Sequence, residues 1–129
     1  MEYSFSHKKD LILSILIQIE ETILRIQERT VRIQTADDFL TSATGMEKLD
    51  AACMLLITIG ESLKNLDKIT NKELLSLYPQ IPWRNIIGVR DIIAHHYFNI
   101  DAEEIFGIIK NDLSPLQKVI QKMIETINK

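Results

Sequence analysis

At 129 residues with 46% hydrophobic side chains, the chain suits one domain, 1–129, with a buried core. That composition excludes a disordered protein. The formal net charge of -3, from 18 acidic and 15 basic side chains, creates no global attraction to nucleic acid or anionic membrane, so a nucleic-acid partner requires a local basic patch.

Cys53 is the single cysteine, which excludes an intrachain disulfide and a cysteine-rich metal site. Set in Ala51-Ala52-Cys53-Met54-Leu55-Leu56, it reads as a small buried apolar residue and not a nucleophile. The first nine residues include Glu2, Ser4, Ser6, His7 and Lys8 and do not read as a signal peptide. The longest apolar runs fall far short of the ~20 residues that span a bilayer. The expectation is a soluble cytoplasmic protein with no membrane partner.

Three prolines and four glycines punctuate the chain, and no segment alternates with period two for long enough to demand a strand. The spacing predicts a first helix from about Ser6 to about Gln34. Leu11, Ile12, Ile15, Ile19, Ile23 and Ile26 form its stripe, which Leu13, Leu16, Ile17 and Leu24 widen well past one face. Such a helix must bury two faces. One meets the domain core; the other meets a second copy of the protein, unless the helix is central and wrapped by the others within a monomer. Arg25, Arg29 and Arg32 make a solvent-side ridge at i, i+4 and i+7, diluted by Gln18, Glu21 and Glu28. The ridge is either a solvated face paired within itself or an RNA-backbone contact.

Thr35 to Gly45 reads as a connection, with Asp37-Asp38 or Thr44 as the cap of the next helix. That second helix is expected over about Met46 to Asp67, with Leu49, Ala52, Cys53, Leu56, Ile59, Gly60 and Leu63 on its apolar face. Gly60 in a helix costs about 1 kcal/mol relative to alanine, which points to close approach by another helix. Glu61 beside it is either solvated or held by an arginine or a histidine. Asn71 to Leu77 reads as a short helical turn, and Tyr78-Pro79-Gln80-Ile81-Pro82 breaks the chain. Pro82 opens a third long helix to about His96. Asp101, with Glu104 three residues on, caps a fourth helix to about Asn111, and Ser114-Pro115 start a fifth to about Asn128.

The chemistry concentrates in Trp83 to Phe98, which holds the single tryptophan, Arg90, His95, His96 and Tyr97. Arginine offers fixed donors to a phosphate and to its growing negative charge, and histidine moves a proton near neutral pH. RNA supplies its own nucleophile in the 2′-hydroxyl, so the pair suits phosphodiester cleavage. One histidine per subunit is thin for both base and acid. On a helix, Arg90 and His95 also diverge by about 140°. Either the helix ends near His95 or two copies meet around a shared cleft. The bland readings are Arg90-Asp91 as paired surface charges, His96 as a packing residue and Trp83 as a core anchor. A zinc site is not expected, since adjacent histidines on a helix diverge by about 100° and His7 is remote.

The Gly60-Glu61 pair, Tyr78-Pro79-Gln80-Ile81-Pro82-Trp83, Gly88-Val89-Arg90 and His95-His96-Tyr97-Phe98-Asn99-Ile100-Asp101 together resemble the HepT-like family (DUF86) of the HEPN superfamily, over nearly the whole chain. The superfamily pattern is an arginine, four to six residues and a histidine, here Arg90 and His95; the HepT refinement adds a tyrosine two residues on, here Tyr97. The resemblance implies an all-α, HEPN-like up-and-down bundle of about five helices with a short extra helical turn. It implies a homodimeric, metal-independent endoribonuclease toxin of a HepT/MntA toxin–antitoxin module of type VII-like character. Arg90 would polarise the scissile phosphate and His95 would transfer protons, leaving a cyclic phosphate and a free 5′-hydroxyl. Cleavage would need no cofactor. An MntA-like nucleotidyltransferase antitoxin would use ATP to adenylylate Tyr97 and so block RNA beside Arg90. Where many superfamily members carry asparagine after the arginine, this chain has Asp91, a carboxylate placed to orient Arg90 or His95 or to repel RNA. Glu61, Asp91 and His96 are candidate supporting residues. The alternative is a non-catalytic helical subunit that binds nucleotides or the nucleotidyltransferase.

Overall fold

The computed structural model describes residues 8–95 and 99–129. Among them all regular structure is helical. The helices are α1 (Lys9–Arg29), α2 (Ala43–Ile69), α3 (Trp83–Ile87), α4 (Val89–His95), α5 (Ala102–Gly107) and α6 (Leu113–Asn128). Two single 3-10 turns, Ala36–Phe39 and Leu75–Leu77, lie between them.

Helix α1 packs against both α2 and α6. Ile12, Ile15, Leu16, Ile19, Ile23 and Ile26 are buried along it, an arc about 100° wide at helical spacing. Part of the width of its apolar surface is therefore taken up within one chain. Ile17 and Leu24, two turns apart on one flank, stay 40% and 41% exposed. The helix stops at Thr30, earlier than the sequence suggests. Its hydroxyl donates to the Ile26 carbonyl inside the core, a local bond that competes with continuing the helix.

The connection is built from its own side chains. Asp38 accepts the N–H groups of Gln34 and Thr35 at 2.8 and 3.1 Å, and these bonds hold its carboxyl below the usual carboxylate range. Ser42, not Thr44, caps α2 by accepting the Gly45 N–H at 2.9 Å. A side chain at Gly45 would run into the Asp38 carbonyl, so the turn lies directly on the first turn of α2. The Lys8 ammonium donates to the Ile69 carbonyl at 2.8 Å and ties the start of α1 to the end of α2.

On its other side α2 carries α3 and α4. Here the expected single helix from Pro82 to His96 is two helices, broken at Gly88. Gly60 of α2 explains the fit. A Cβ there would sit 3.2 Å from the Ile87 carbonyl and 3.3 Å from that of Ile86, so the end of α3 rests on the bare backbone of α2. The expected fourth and fifth helices are instead one run. Between α5 and α6 the π turn Ile108–Asp112 keeps the chain helical, with the Leu113 N–H donating to the Ile108 carbonyl. Pro115 lacks an N–H and would crowd the carbonyl four residues back in an α-helix; the wider turn relieves that conflict. Asp101 caps α5 by accepting the N–H groups of Glu103 and Glu104. The fold class read from the sequence is the observed one, with helix counts altered at Gly88 and at the π turn.

Candidate active site

The loop from Tyr78 to Trp83 positions the helices of the site. The indole Nε1–H of Trp83 donates to the Tyr78 carbonyl at 2.9 Å, closing the proline-flanked loop on itself. Trp83 is half-buried against the core and also lines a surface cleft. One side chain thus packs on the core and borders the cleft.

Arg90 begins the candidate site. It lies in the first turn of α4, one residue past the buried Val89, and its side chain is 57% exposed. The Nε of Arg90 meets Oε1 of Glu61 at 3.3 Å. Glu61 is therefore held by an arginine, one of the options that the sequence left open. The pair is the one ion pair among the described residues and spans α2 and α4. An exposed pair of this kind contributes about 0–1 kcal/mol to stability. Its consequence is geometric: Nε is engaged by Glu61, and Arg90 makes no other ion pair or side-chain hydrogen bond among the described residues.

His95 lies at the far end of α4 and is exposed. Its Nδ1 is 2.6 Å from the carbonyl oxygen of Asp91, one helical turn back. A carbonyl only accepts, so Nδ1 carries the proton and donates. In the neutral ring Nε2 is then the unprotonated nitrogen, the one able to act as a base. The sequence suggested that the Asp91 carboxylate orients Arg90 or His95. Instead its backbone carbonyl holds His95, and Glu61 holds Arg90. The Asp91 carboxylate is exposed on the rim of the cleft.

No hydrogen bond joins Arg90 to His95 among the described residues; both stand on one short helix, about 140° apart at ideal spacing. His96 and Tyr97 lie outside the described residues. Arg25, Arg29 and Arg32 are exposed, without an ion pair among the described residues. Arg29 and Arg32 share a hollow with Lys48 at the start of α2, some 20 Å of helix from Glu61. The structure does not bring that ridge to Arg90. Cys53 is buried, and burial pushes its thiol up to about 11; it is an apolar core group, as the sequence indicates. Among the described residues no cluster of three or more histidine, cysteine or carboxylate side chains is placed to hold a metal ion, and no helix is long and apolar enough to cross a membrane.

Sequence reasoning missed Lys64, Lys72 and Arg84, which line the cleft with Arg90 and Trp83. Lys64 on α2, Arg84 on α3 and Lys72 in the turn after α2 belong to no periodic pattern in the sequence. No glycine ends α2; Asn71 and Lys72 both take left-handed backbone angles there, φ 55° and 63°.

An all-helical bundle presenting an arginine and a histidine on one short exposed helix defines a class of proteins to which comparison adds a family. The model of the ribonuclease HepT-like family matches residues 9–123, and the chain belongs to that family. It is 34% identical over 114 residues to a "gamma-glutamylcyclotransferase and putative RNase" of Methanocaldococcus jannaschii, a match covering 88% of this chain and 48% of that protein. The chain thus spans about half the length of that relative. It is 31% identical over 108 residues to a "probable ribonuclease HepT" of Thermococcus cleftensis, covering 84% of this chain and 91% of that protein. No solved structure matches the chain.

Proposed function

We propose that this protein is an endoribonuclease in which Arg90 and His95 cleave RNA through its own 2′-hydroxyl. The observation that carries the reading is the state of the His95 ring. With Nδ1–H tied to the Asp91 carbonyl, Nε2 is the unprotonated nitrogen of the neutral ring, on the same exposed helix as a guanidinium that makes one ion pair, through Nε, among the described residues. Nε2 takes the proton of the 2′-hydroxyl, the 2′-oxygen bonds to phosphorus, and the bond to the 5′-oxygen breaks. Arg90 neutralises the charge gathering on the phosphoryl oxygens. The leaving 5′-oxygen takes up a proton, so the products are a cyclic phosphate and a free hydroxyl. No step requires a metal ion.

One histidine cannot serve as base and acid at once. A two-fold dimer, with its cleft shared between two copies of α4, supplies a second Arg90 and a second His95. The exposed Ile17 and Leu24 flank of α1 supports an apolar contact between copies. A solution molar mass near one chain at micromolar concentration refutes the dimer. Activity is controlled by adenylylation of Tyr97 by an MntA-like nucleotidyltransferase antitoxin using ATP, and the intact mass of the co-expressed protein tests this directly. In the cell the protein is a toxin of the cytoplasm whose target is RNA.

The deciding experiment compares wild type with Arg90→Ala and His95→Ala, all free of adenylylation. Each variant loses RNA cleavage and growth inhibition while the fold and molar mass are unchanged. Wild-type protein that leaves assorted RNAs intact overturns the reading in favour of a subunit that only binds its nucleotidyltransferase.

A further inference from the structure

We propose that the cleft beside Arg90, lined by Lys64, Lys72, Trp83 and Arg84, is a nucleotide subsite for single-stranded RNA, with phosphate on the three cations and a base against the indole face of Trp83. This rests on the ribonuclease reading and extends it to the residues that hold the strand next to the scissile bond.

The first observation is charge. The cleft is lined by four cations, Arg90 included, against the three carboxylates of Glu61, Asp67 and Asp91. Its lining is net positive in a chain of net charge -3. The excess is one charge, so what can hold a phosphate here is the placement of individual cations and not the net field of the cleft. Arg90 is the cation with an ion-pair partner. Lys64, Lys72 and Arg84 make no ion pair or side-chain hydrogen bond among the described residues.

The second observation is the state of Trp83. Its single donor is used by the Tyr78 carbonyl, so the indole has no hydrogen bond left to offer a ligand. What it presents to the cleft is a ring that this bond holds in place, and a fixed ring is a stacking platform for any base. Cations that track a backbone beside an aromatic on which bases stack are the usual means of holding single strands without sequence preference. The cleft volume, about 570 Å³, is that of a small-ligand site.

The third observation is Lys72. Its φ of 63° is a conformation that a lysine adopts with strain and a glycine adopts freely. The turn is a helix stop: the Lys72 N–H donates to the Asp67 carbonyl at 2.8 Å, an arrangement that glycine would serve better. Lysine at this position works against the turn, and what it brings is a charge on the wall of the cleft. The Arg29 and Arg32 hollow has cations as well, but no aromatic ring in its lining.

The test uses the full chain carrying His95→Ala, so that binding is read without cleavage. The probe is a short fluorescein-labelled oligo(U) RNA followed by anisotropy, beside an unlabelled oligo(A) followed by the emission of Trp83, the single tryptophan. RNA quenches Trp83 emission along the same saturation curve as binding. Lys72→Gly keeps or raises the melting temperature, weakens oligo(U) binding severalfold, and flattens the dependence of log affinity on log salt by about 0.7. Trp83→Leu keeps apolar bulk and loses about five- to a hundredfold; Trp83→Phe keeps a stackable ring but lacks the bond to Tyr78 that fixes it, and binds between the parent and Trp83→Leu. The subsite is overturned if Lys72→Gly and Trp83→Leu bind as tightly as the parent, or if Trp83 emission is unmoved at saturating RNA. Either result alongside RNA cleavage by the wild type leaves the ribonuclease reading standing without this subsite. Trp83 emission that responds to the nucleotidyltransferase and not to RNA overturns it in favour of a protein-docking surface. A wild type that neither binds nor cuts overturns both.

Discussion

The two ends of α2 carry two basic regions built for different purposes. At its start, Arg29 and Arg32 stand beside Lys48 over the Asp38 turn, and the polar groups of that turn are used on the backbone. Asp38 caps Gln34 and Thr35, and Ser42 caps Gly45. Toward its far end, Glu61 reaches Arg90, and Lys64 and Lys72 share a cleft with Trp83. Positive charge is common to both regions. An aromatic ring in the lining and a guanidinium paired across two helices belong to the second alone. A run of arginines on a helix face is thus a poor guide to where a strand is held; concavity and a stacking surface distinguish the two ends.

The contrast between the two ends is tested most sharply at the chemistry. Arg90→Ala is expected to lower cleavage by about 10²–10³ through loss of charge stabilisation, and His95→Ala by about 10²–10⁴ through loss of proton transfer, both read as single-turnover rates on one RNA. Equal losses on replacing Arg29 would erase the distinction between the two ends.

Next in size is Gly60→Val. A branched side chain has no room against the Ile86 and Ile87 carbonyls, and overpacking of this kind costs about 1–3 kcal/mol. The denaturant midpoint should fall at unchanged slope, with a further loss of cleavage because α3 and α4 are pushed away from Glu61. Gly60→Ala is the milder case, since the gain in helix propensity of about 1 kcal/mol offsets part of the crowding. A midpoint for Gly60→Val equal to that of wild type shows that the helices are not held by this contact.

Glu61→Gln comes third. The Arg90 pair is exposed, so stability should change by less than about 1 kcal/mol. Cleavage should fall modestly, through a less confined guanidinium, with the rate changing more than substrate affinity. A loss as large as that of Arg90→Ala would instead make Glu61 a participant in the reaction. The smallest effect is expected from replacing Arg25, Arg29 and Arg32 together by Gln. Stability should shift by no more than about 0.5 kcal/mol, and RNA affinity and its salt slope should stay near wild type. A salt slope lowered by about 0.7 or more would extend the RNA path to that end of α2.

Much of the architecture was legible in the sequence because it is written locally. The stripe of isoleucines in α1, the apolar face of α2 and the Asp101 cap each come from spacings within one segment. Where segments meet, local rules gave less. The third helix reads as continuous across Gly88, since one glycine is tolerated inside a helix. It is broken there because α3 must end on Gly60. Ser114-Pro115 reads as a start signal, and the π turn that lets the helix pass through it has no sequence signature of its own. Of the candidate site, Arg90 and His95 were singled out by their residue chemistry and by the resemblance to the HepT-like family, while their spacing on one helix set them apart in angle. Lys72 was not singled out, because a strained lysine is indistinguishable in sequence from any surface lysine.

Residue order alone is enough to establish a helical protein, the buried faces of its helices, and the gathering of reactive side chains between Trp83 and Phe98. Those properties depend on periodicity and residue chemistry, which are readable one segment at a time. Two features needed the packed molecule: Glu61 holding Arg90, and Trp83 bordering one cleft with Lys64, Lys72 and Arg84. Each depends on three-dimensional placement. The bare backbone of Gly60 against α3 sets where α4 lies, and a side chain's partner is chosen by that approach and by its own rotamer, neither of which residue spacing specifies.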